Sequence, residues 1–337
     1  MRRRLPLAFA ATLLFHFLAT LCVAGVQRAD EVRDESLRQI KKLVVILMDQ
    51  ENLRQNESNH LIVTTDARQE HVAEVLARNL ESVFAAVNRL CHGKIPLRAR
   101  DTKVRVYLFR NRSRFQAFAR QMMPRDHLPT AGFYLSVGVI ALQQEWNTRQ
   151  ALRRNMFHEG THAFLDQYVA RPGVSLPHWL HEGLAEYVET SSLGRDGKLQ
   201  LGTYYRKEQY TGPARSFQHY SAADWKLRRL RKAARRGEVP SLEQLVAADE
   251  EQFGGKDGPV YYYQSWAFVH FLRHGRPDWA VNKFPYLVLG LAGGKPVERV
   301  FEEVYGSRPA DMEDDYRSYI NDKSRIVRSR KSWRTQN

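Results

Sequence analysis

Two histidines four residues apart, the first followed directly by a glutamate, occur at His158-Glu159-Gly160-Thr161-His162. On an α-helix, positions i and i+4 lie one above the other. The two imidazoles can therefore share one Zn2+ ion, with ligand bonds of roughly 2.0–2.1 Å. Glu159 projects about a quarter-turn away, where it can serve as base toward a water beside the ion without binding the ion itself. The chemistry this spacing points to is metal-assisted hydrolysis, with His158 and His162 as ligands and Glu159 as proton acceptor.

A catalytic zinc takes three protein ligands and keeps one position open. One helix presents only two side chains to a point, so the third must come from a neighbouring element. The downstream stretch Trp179-Leu180-His181-Glu182-Gly183-Leu184-Ala185-Glu186 offers Glu182, with 19 residues between it and His162. That gap is enough to end one helix, cross a loop and start an antiparallel one, and Glu182 is the expected third ligand. Glu186, one turn further on, is expected to accept the other ring N–H of a ligand histidine, fixing its tautomer. Asp166, one turn beyond His162, is a weaker candidate for the same task. His181 points about 100° away from Glu182, so it and His178 are expected to line the cleft or its rim. A third histidine six residues past the motif is excluded, because that position is Tyr168.

With these residues in place, the chain resembles the gluzincins, the metallopeptidases whose third zinc ligand is a glutamate. The Trp-Leu-x-Glu-Gly-x-Ala wording is similar to the zinc-binding helix of the aminopeptidase members, and the His162-to-Glu182 gap is similar to that of thermolysin-like enzymes. The order of motifs more closely resembles a bacterial family of uncharacterised exported gluzincins. The matching segments are Ala131 to Tyr134, Tyr262-Tyr263-Gln264-Ser265-Trp266 and Gly306-Ser307. The resemblance covers roughly residues 60–320; its zinc motifs are specific and its outer parts loose. It implies one Zn2+, a peptide or protein substrate, and a tyrosine or histidine from the C-terminal half that stabilises the tetrahedral oxyanion. Tyr262 is the candidate for that donor, with Tyr261 and Tyr263 as rivals.

The elements that must hold these residues can be read from hydrophobic period. Leu152, Met156, Phe157, Ala163, Phe164, Leu165, Tyr168 and Val169 put the histidine motif on a half-buried helix that Arg171-Pro172-Gly173 stops. Upstream, residues 25–40 are polar and read as a linker, and Lys42–Met48 and Asn59–Thr65 read as strands. A helical stripe runs through Asp66–Cys91, followed by a strand at Lys103–Phe109 and a helix at Ser113–Met122. Ala131–Leu142 reads as one long strand or a tight hairpin through Ser136-Val137-Gly138. As an edge strand above the cleft it would pair with a peptide backbone. Gly194 to Gly197 reads as a turn between short strands, Ser241-Leu242-Glu243-Gln244 as a capping box, and Tyr261–Leu272 and Pro309–Ile320 as helices. The expected fold is α+β and zincin-like. A mixed-sheet N-terminal subdomain (41–147) carries an antiparallel edge strand, and the zinc-site helices lead into a mainly helical C-terminal subdomain (148–322).

Arg2-Arg3-Arg4 followed by the apolar run Leu5–Val26 reads as a secretory signal over residues 1–24, cut after Ala24, or as an uncleaved N-terminal anchor. Either implies export, to the periplasm, the cell surface or the medium. A lipoprotein signal through Cys22 is disfavoured by Leu21. Cys91 is then the remaining cysteine of two, which leaves no intrachain disulfide. The net charge of +15 is concentrated: Lys226 to Arg236 holds seven cations and no acid, and the tail 323–337 adds more. Export argues against nucleic acid, and no zinc-finger spacing or RNA-binding aromatic signature occurs. A solvated helical face, an anionic cell-envelope polymer or a membrane surface remain as readings of the basic clusters. The activity expected is peptide-bond hydrolysis by a Glu-activated water at zinc. The alternative is a non-catalytic metal-containing module that binds the envelope through those clusters.

Overall fold

The computed structural model describes residues 26–91, 103–123, 129, 131–144, 149–194, 196–201, 222–276 and 278–322. The N-terminal segment 1–24 and the basic tail 323–337 lie outside them. The described residues form an α+β protein whose chain divides into two compact units. The first comprises residues 1–78 and 102–155, and the second residues 79–101 and 156–337.

In the first unit, strands β1 (Arg54–Glu57), β2 (Leu61–Thr65), β3 (Val104–Phe109), β4 (Gly132–Leu135) and β5 (Val139–Gln143) make one mixed sheet in the order β1-β2-β3-β5-β4. The three central strands are parallel and nearly continuous in apolar residues, as strands covered on both faces must be. The two edges run antiparallel. β4 and β5 form the tight hairpin, turned through Gly138 at φ 88°, a conformation that suits glycine. β1 is the strand that hydrophobic period could not reveal, because Arg-Gln-Asn-Glu carries no apolar stripe. Its register is set by ladder bonds to β2 alone, from Arg54 opposite Thr65 to Glu57 opposite Ile62.

Residues 25–40 are not a linker and Lys42–Met48 is not a strand; together they form helix α1 (Val26–Leu47). Leu37, Ile40, Val44 and Met48 fall on one face and are buried with Tyr107, Phe115, Phe118 and Phe133. One apolar residue per turn suffices against a sheet, and the rest of the helix stays polar. Val45 and Ile46, which lent the segment a strand-like look, remain exposed. Helix α3 (Arg112–Met122) supplies Phe115 and Phe118 to this core, its first turn capped by Asn111, whose side chain accepts from Ser113 N and Arg114 N.

Helix α2 (Val72–Leu90) begins in the first unit, but its residues from Asn79 onward belong to the second rather than to an N-terminal subdomain. The cause is its packing against helix α4 (Arg149–Phe164). A Cβ on Gly160 would lie 2.6 Å from Leu80 Cδ2, and the Phe84 and Phe164 rings are 5.2 Å apart. The glycine inside the histidine motif is thus what lets the two helices approach. A π-helical turn, Leu165–Val169, ends the helix.

Helix α5 (His178–Glu189) carries the second motif. A two-stranded ribbon follows, β6 (Ser192–Leu193) with β7 (Leu199–Gln200). Then come α6 (Ala222–Ala234), α7 (Leu242–Ala247) with its Ser241–Gln244 capping box, α8 (Glu250–Gly254) and the long α9 (Gly258–His274). Smaller helices α10 (Trp279–Asn282), α11 (Phe284–Ala292), α12 (Val297–Tyr305) and α13 (Glu313–Asn321) complete the second unit. α5 lies directly on α9. A Cβ on Gly183 would meet the Ser265 carbonyl oxygen at 2.8 Å, so the residue after Glu182 must lack a side chain. Trp179 anchors the same seam against Phe268 and Phe301. Among the described residues no helix is long and apolar enough to cross a membrane.

Candidate metal centre

The second unit brings His158 and His162 of α4 and Glu182 of α5 to one point. The two Nε2 atoms are 3.0 Å apart, and each lies 3.5 Å from Glu182 Oε2. A tetrahedral ion with bonds of about 2.0–2.1 Å holds its donors roughly 3.3–3.4 Å apart. The measured triangle has that size, and two nitrogens with one carboxylate oxygen are the donor set such an ion takes. Glu182 Oε2 is also buried with no hydrogen-bond donor. An orphaned anionic oxygen in a protein interior is costly, and a bound cation removes that cost. The residues fit a single divalent ion.

Electrostatics within the triangle are divided. Burial drives the His162 ring down to about 4. For His158 burial acts in the same sense but is outweighed by the Glu182 and Glu189 carboxylates, which push it up to about 10. Glu182 is held well below the ordinary carboxylate range, because the paired imidazoles overcome its burial. The two imidazoles are thus pushed in opposite directions, His158 toward and His162 away from the protonated form.

Around the triangle the structure departs from the expected supporting residues. Glu186 does not support a ligand histidine; it forms an ion pair with Lys226 of α6. The carboxylate facing His158 Nδ1 is instead Glu189, at 3.5 Å, two helical turns beyond Glu182 on the same face. Lys226 also reaches Glu189, at 3.3 Å. Asp166 turns to His181, with Oδ1 and Nε2 3.0 Å apart. The His181 ring lies 4.3 Å from that of His162, centroid to centroid, beside the site and outside the ligand triangle. His178 packs on Phe253.

Glu159 is buried next to His158. Tyr262 lies in the first turns of α9, its ring edge-on to Phe253 at 5.2 Å. Burial raises its hydroxyl pKa above the ordinary tyrosine value, and the Glu182 and Glu159 charges raise it further. That hydroxyl is therefore within electrostatic reach of Glu182 and Glu159, and it stays protonated. Tyr263 answers to burial, Arg229 and Glu189 instead.

Two residues of the centre were not foreseen, Glu189 and Lys226, yet both leave a trace in the chain. Glu182, Glu186 and Glu189 follow an i, i+4, i+7 spacing. Lys226 shares the buried stripe of α6 with Ala223, Leu227, Leu230 and Ala233, while Arg228, Arg229 and Lys232 are exposed. A lysine on the apolar face of a basic helix is the one with an interior partner. Neither the scan of family models nor the search of curated proteins finds a match to this chain.

Proposed function

We propose that this protein is a zinc-dependent metallopeptidase of the gluzincin type on a zincin-like fold, exported from the cytoplasm. The single observation that carries the reading is the buried convergence of His158, His162 and Glu182 at 3.0–3.5 Å, with Glu159 beside it. Binding a metal for structure alone would not call for that last residue. Export is the implication of the basic and apolar N-terminal sequence, whether it is cut after Ala24 or retained as an anchor.

His158, His162 and Glu182 would hold one Zn2+. The ion, when bound, supplies a Lewis acid that polarises the scissile carbonyl and brings the pKa of an adjacent water toward about 7. Glu159 takes the proton from the attacking water and passes it to the leaving amine. Tyr262, kept protonated by burial and by the Glu182 and Glu159 charges, donates a hydrogen bond to the oxyanion as it forms.

The test is metal content by mass spectrometry on the purified chain, with peptide-library cleavage by wild type and Glu159→Gln. Stoichiometric zinc, with cleavage lost in the mutant while zinc is kept, is the expected result. A second reading has one observation in its favour: α6 and the turn after it expose Arg228, Arg229, Lys232, Arg235 and Arg236, a surface suited to an anionic envelope polymer or membrane. Zinc with no hydrolysis of any peptide would favour that binding module.

A further inference from the structure

His158, Glu186 and Glu189 form a second group whose donor atoms all lie within 4.8 Å of one another. One buried carboxylate, one half-buried carboxylate and an imidazole could themselves hold a cation, sharing His158 with the first group. Its centre is taken by the protein. The Lys226 ammonium pairs with Glu186 and lies 3.3 Å from Glu189 Oε2, on a side chain only 7% exposed. Glu189 in turn faces Nδ1 of His158 at 3.5 Å, on the opposite side of the ring from the nitrogen that faces Glu182.

We propose that Lys226 is a positioning residue of the metal centre: its ammonium acts as a built-in second cation that keeps the centre mononuclear and, through Glu189, aims the His158 ring at the first site. This rests on the metal-binding reading above. Without the ammonium, Glu186 and Glu189 are two like charges on one helix face with only the His158 ring beside them to offset the repulsion. Glu189 then has no reason to stay at Nδ1, and the pair becomes free to take up a metal of its own. A ligand histidine that loses its outer carboxylate typically costs its site about 10–100-fold in affinity. A lysine gives one compact point charge, and an arginine at the same place would keep the charge in a different shape.

The experiment uses the full chain as wild type, Lys226→Met, Lys226→Arg and Glu189→Gln. Zn2+ affinity is read by chelator competition, and Co2+ is titrated to follow stoichiometry and the visible ligand-field spectrum. Wild type should take one Co2+. Lys226→Met should bind Zn2+ about 10–100-fold more weakly, show a shifted Co2+ spectrum and take up a second equivalent in excess metal. Lys226→Arg should restore most of the affinity, and Glu189→Gln combined with Lys226→Met should be no worse than the stronger single variant. A folded Lys226→Met chain that binds one Co2+ with wild-type spectrum and chelator midpoint overturns the proposal while leaving the metal centre intact. A wild-type chain that takes no metal overturns the metal reading, and this proposal with it. Should Lys226→Met fail to fold, Glu189→Gln alone decides: an unchanged spectrum and affinity sink the relay through His158.

Discussion

Asp66 in the first unit and Glu182 in the second are both buried carboxylates, and their surroundings are opposite. Asp66 ends β2 with a side chain 2% exposed. It accepts from the Arg110 amide at 2.7 Å, the Asp49 amide at 3.2 Å and the Arg114 guanidinium at 3.4 Å. Those donors come from the α1–β1 and β3–α3 connections and from helix α3, so the carboxylate spends its interactions on the fold. Glu182 Oε2 has no donor and faces two ring nitrogens that can offer lone pairs. A buried oxygen of that kind calls for an explanation, and a cation is the one proposed above. Burial of an acid is uninformative by itself; the difference lies in whether its neighbours are donors or further acceptors.

The sharpest way to break that contrast is to neutralise each acid in turn. Glu182→Gln should abolish stoichiometric zinc. With the ion lost, several kcal/mol of transition-state stabilisation go too, about a thousandfold or more in peptide cleavage. Denaturant stability of the chain treated with chelator should change far less than zinc content, and only by the loss of the Glu182 attraction to the two imidazoles. A Glu182→Gln chain that keeps full zinc would end the assignment of this ligand.

Asp66→Ala should do the reverse. It leaves two amides without their partner, each costing about 1–3 kcal/mol, so a destabilisation of roughly 3 kcal/mol is expected in urea unfolding. The zinc affinity of the folded fraction should be unchanged. A weakened zinc site in that variant would mean the two carboxylates are not separable into a fold-keeping and a metal-holding role.

Between these extremes stands Tyr262, whose proposed task is to meet charge that exists only during reaction. Tyr262→Phe should lower kcat by about 10–100-fold, with zinc content and KM little changed. An equal loss in kcat/KM through KM alone would instead make Tyr262 a substrate-packing residue, and Tyr263 the residue to test next.

How much of this was legible follows from the kind of signal each residue leaves. The convergence of His158, His162 and Glu182 was legible because a shared centre restricts residue type and helical spacing together, and the structure brings these three to one point. The α4 and α9 helices, the β3 strand and the β4–β5 hairpin were readable from hydrophobic period. Helix α1 was misread because its buried stripe is one residue wide and its C-terminal end is rich in β-branched residues, which suit strands equally well. β1 was invisible because an edge strand held by backbone bonds needs no apolar side chains. Glu186 was given Glu189's place because i+4 and i+7 lie on one helix face, and only the position of Lys226 on another helix decides which acid is free to turn toward His158.

His270 provides the last refinement, since it is orphaned like Glu182 but converges on nothing. Its Nδ1 is 2.7 Å from the Tyr319 hydroxyl, and its Nε2 is buried without a partner. His274, with Nε2 at 2.9 Å from the Tyr187 hydroxyl, has its ring 4.5 Å away, and the buried Arg273 lies on the same turn. Burial and the Arg273 charge push His270 down to about 3, and burial with both neighbours holds His274 well below its usual value. Because the folded value is depressed below the unfolded one near 6.5, the unfolded chain binds a proton that the folded chain refuses. The contribution to stability is complete above about pH 6.5 and is lost as pH falls from there toward 3, at up to about 1.4 kcal/mol per pH unit for each ring. Urea unfolding between pH 7.5 and 5 should therefore show a shallower pH slope for His270→Gln than for wild type, the difference growing to nearly one proton at about pH 5. Equal slopes would mean that His270 is protonated in the folded chain.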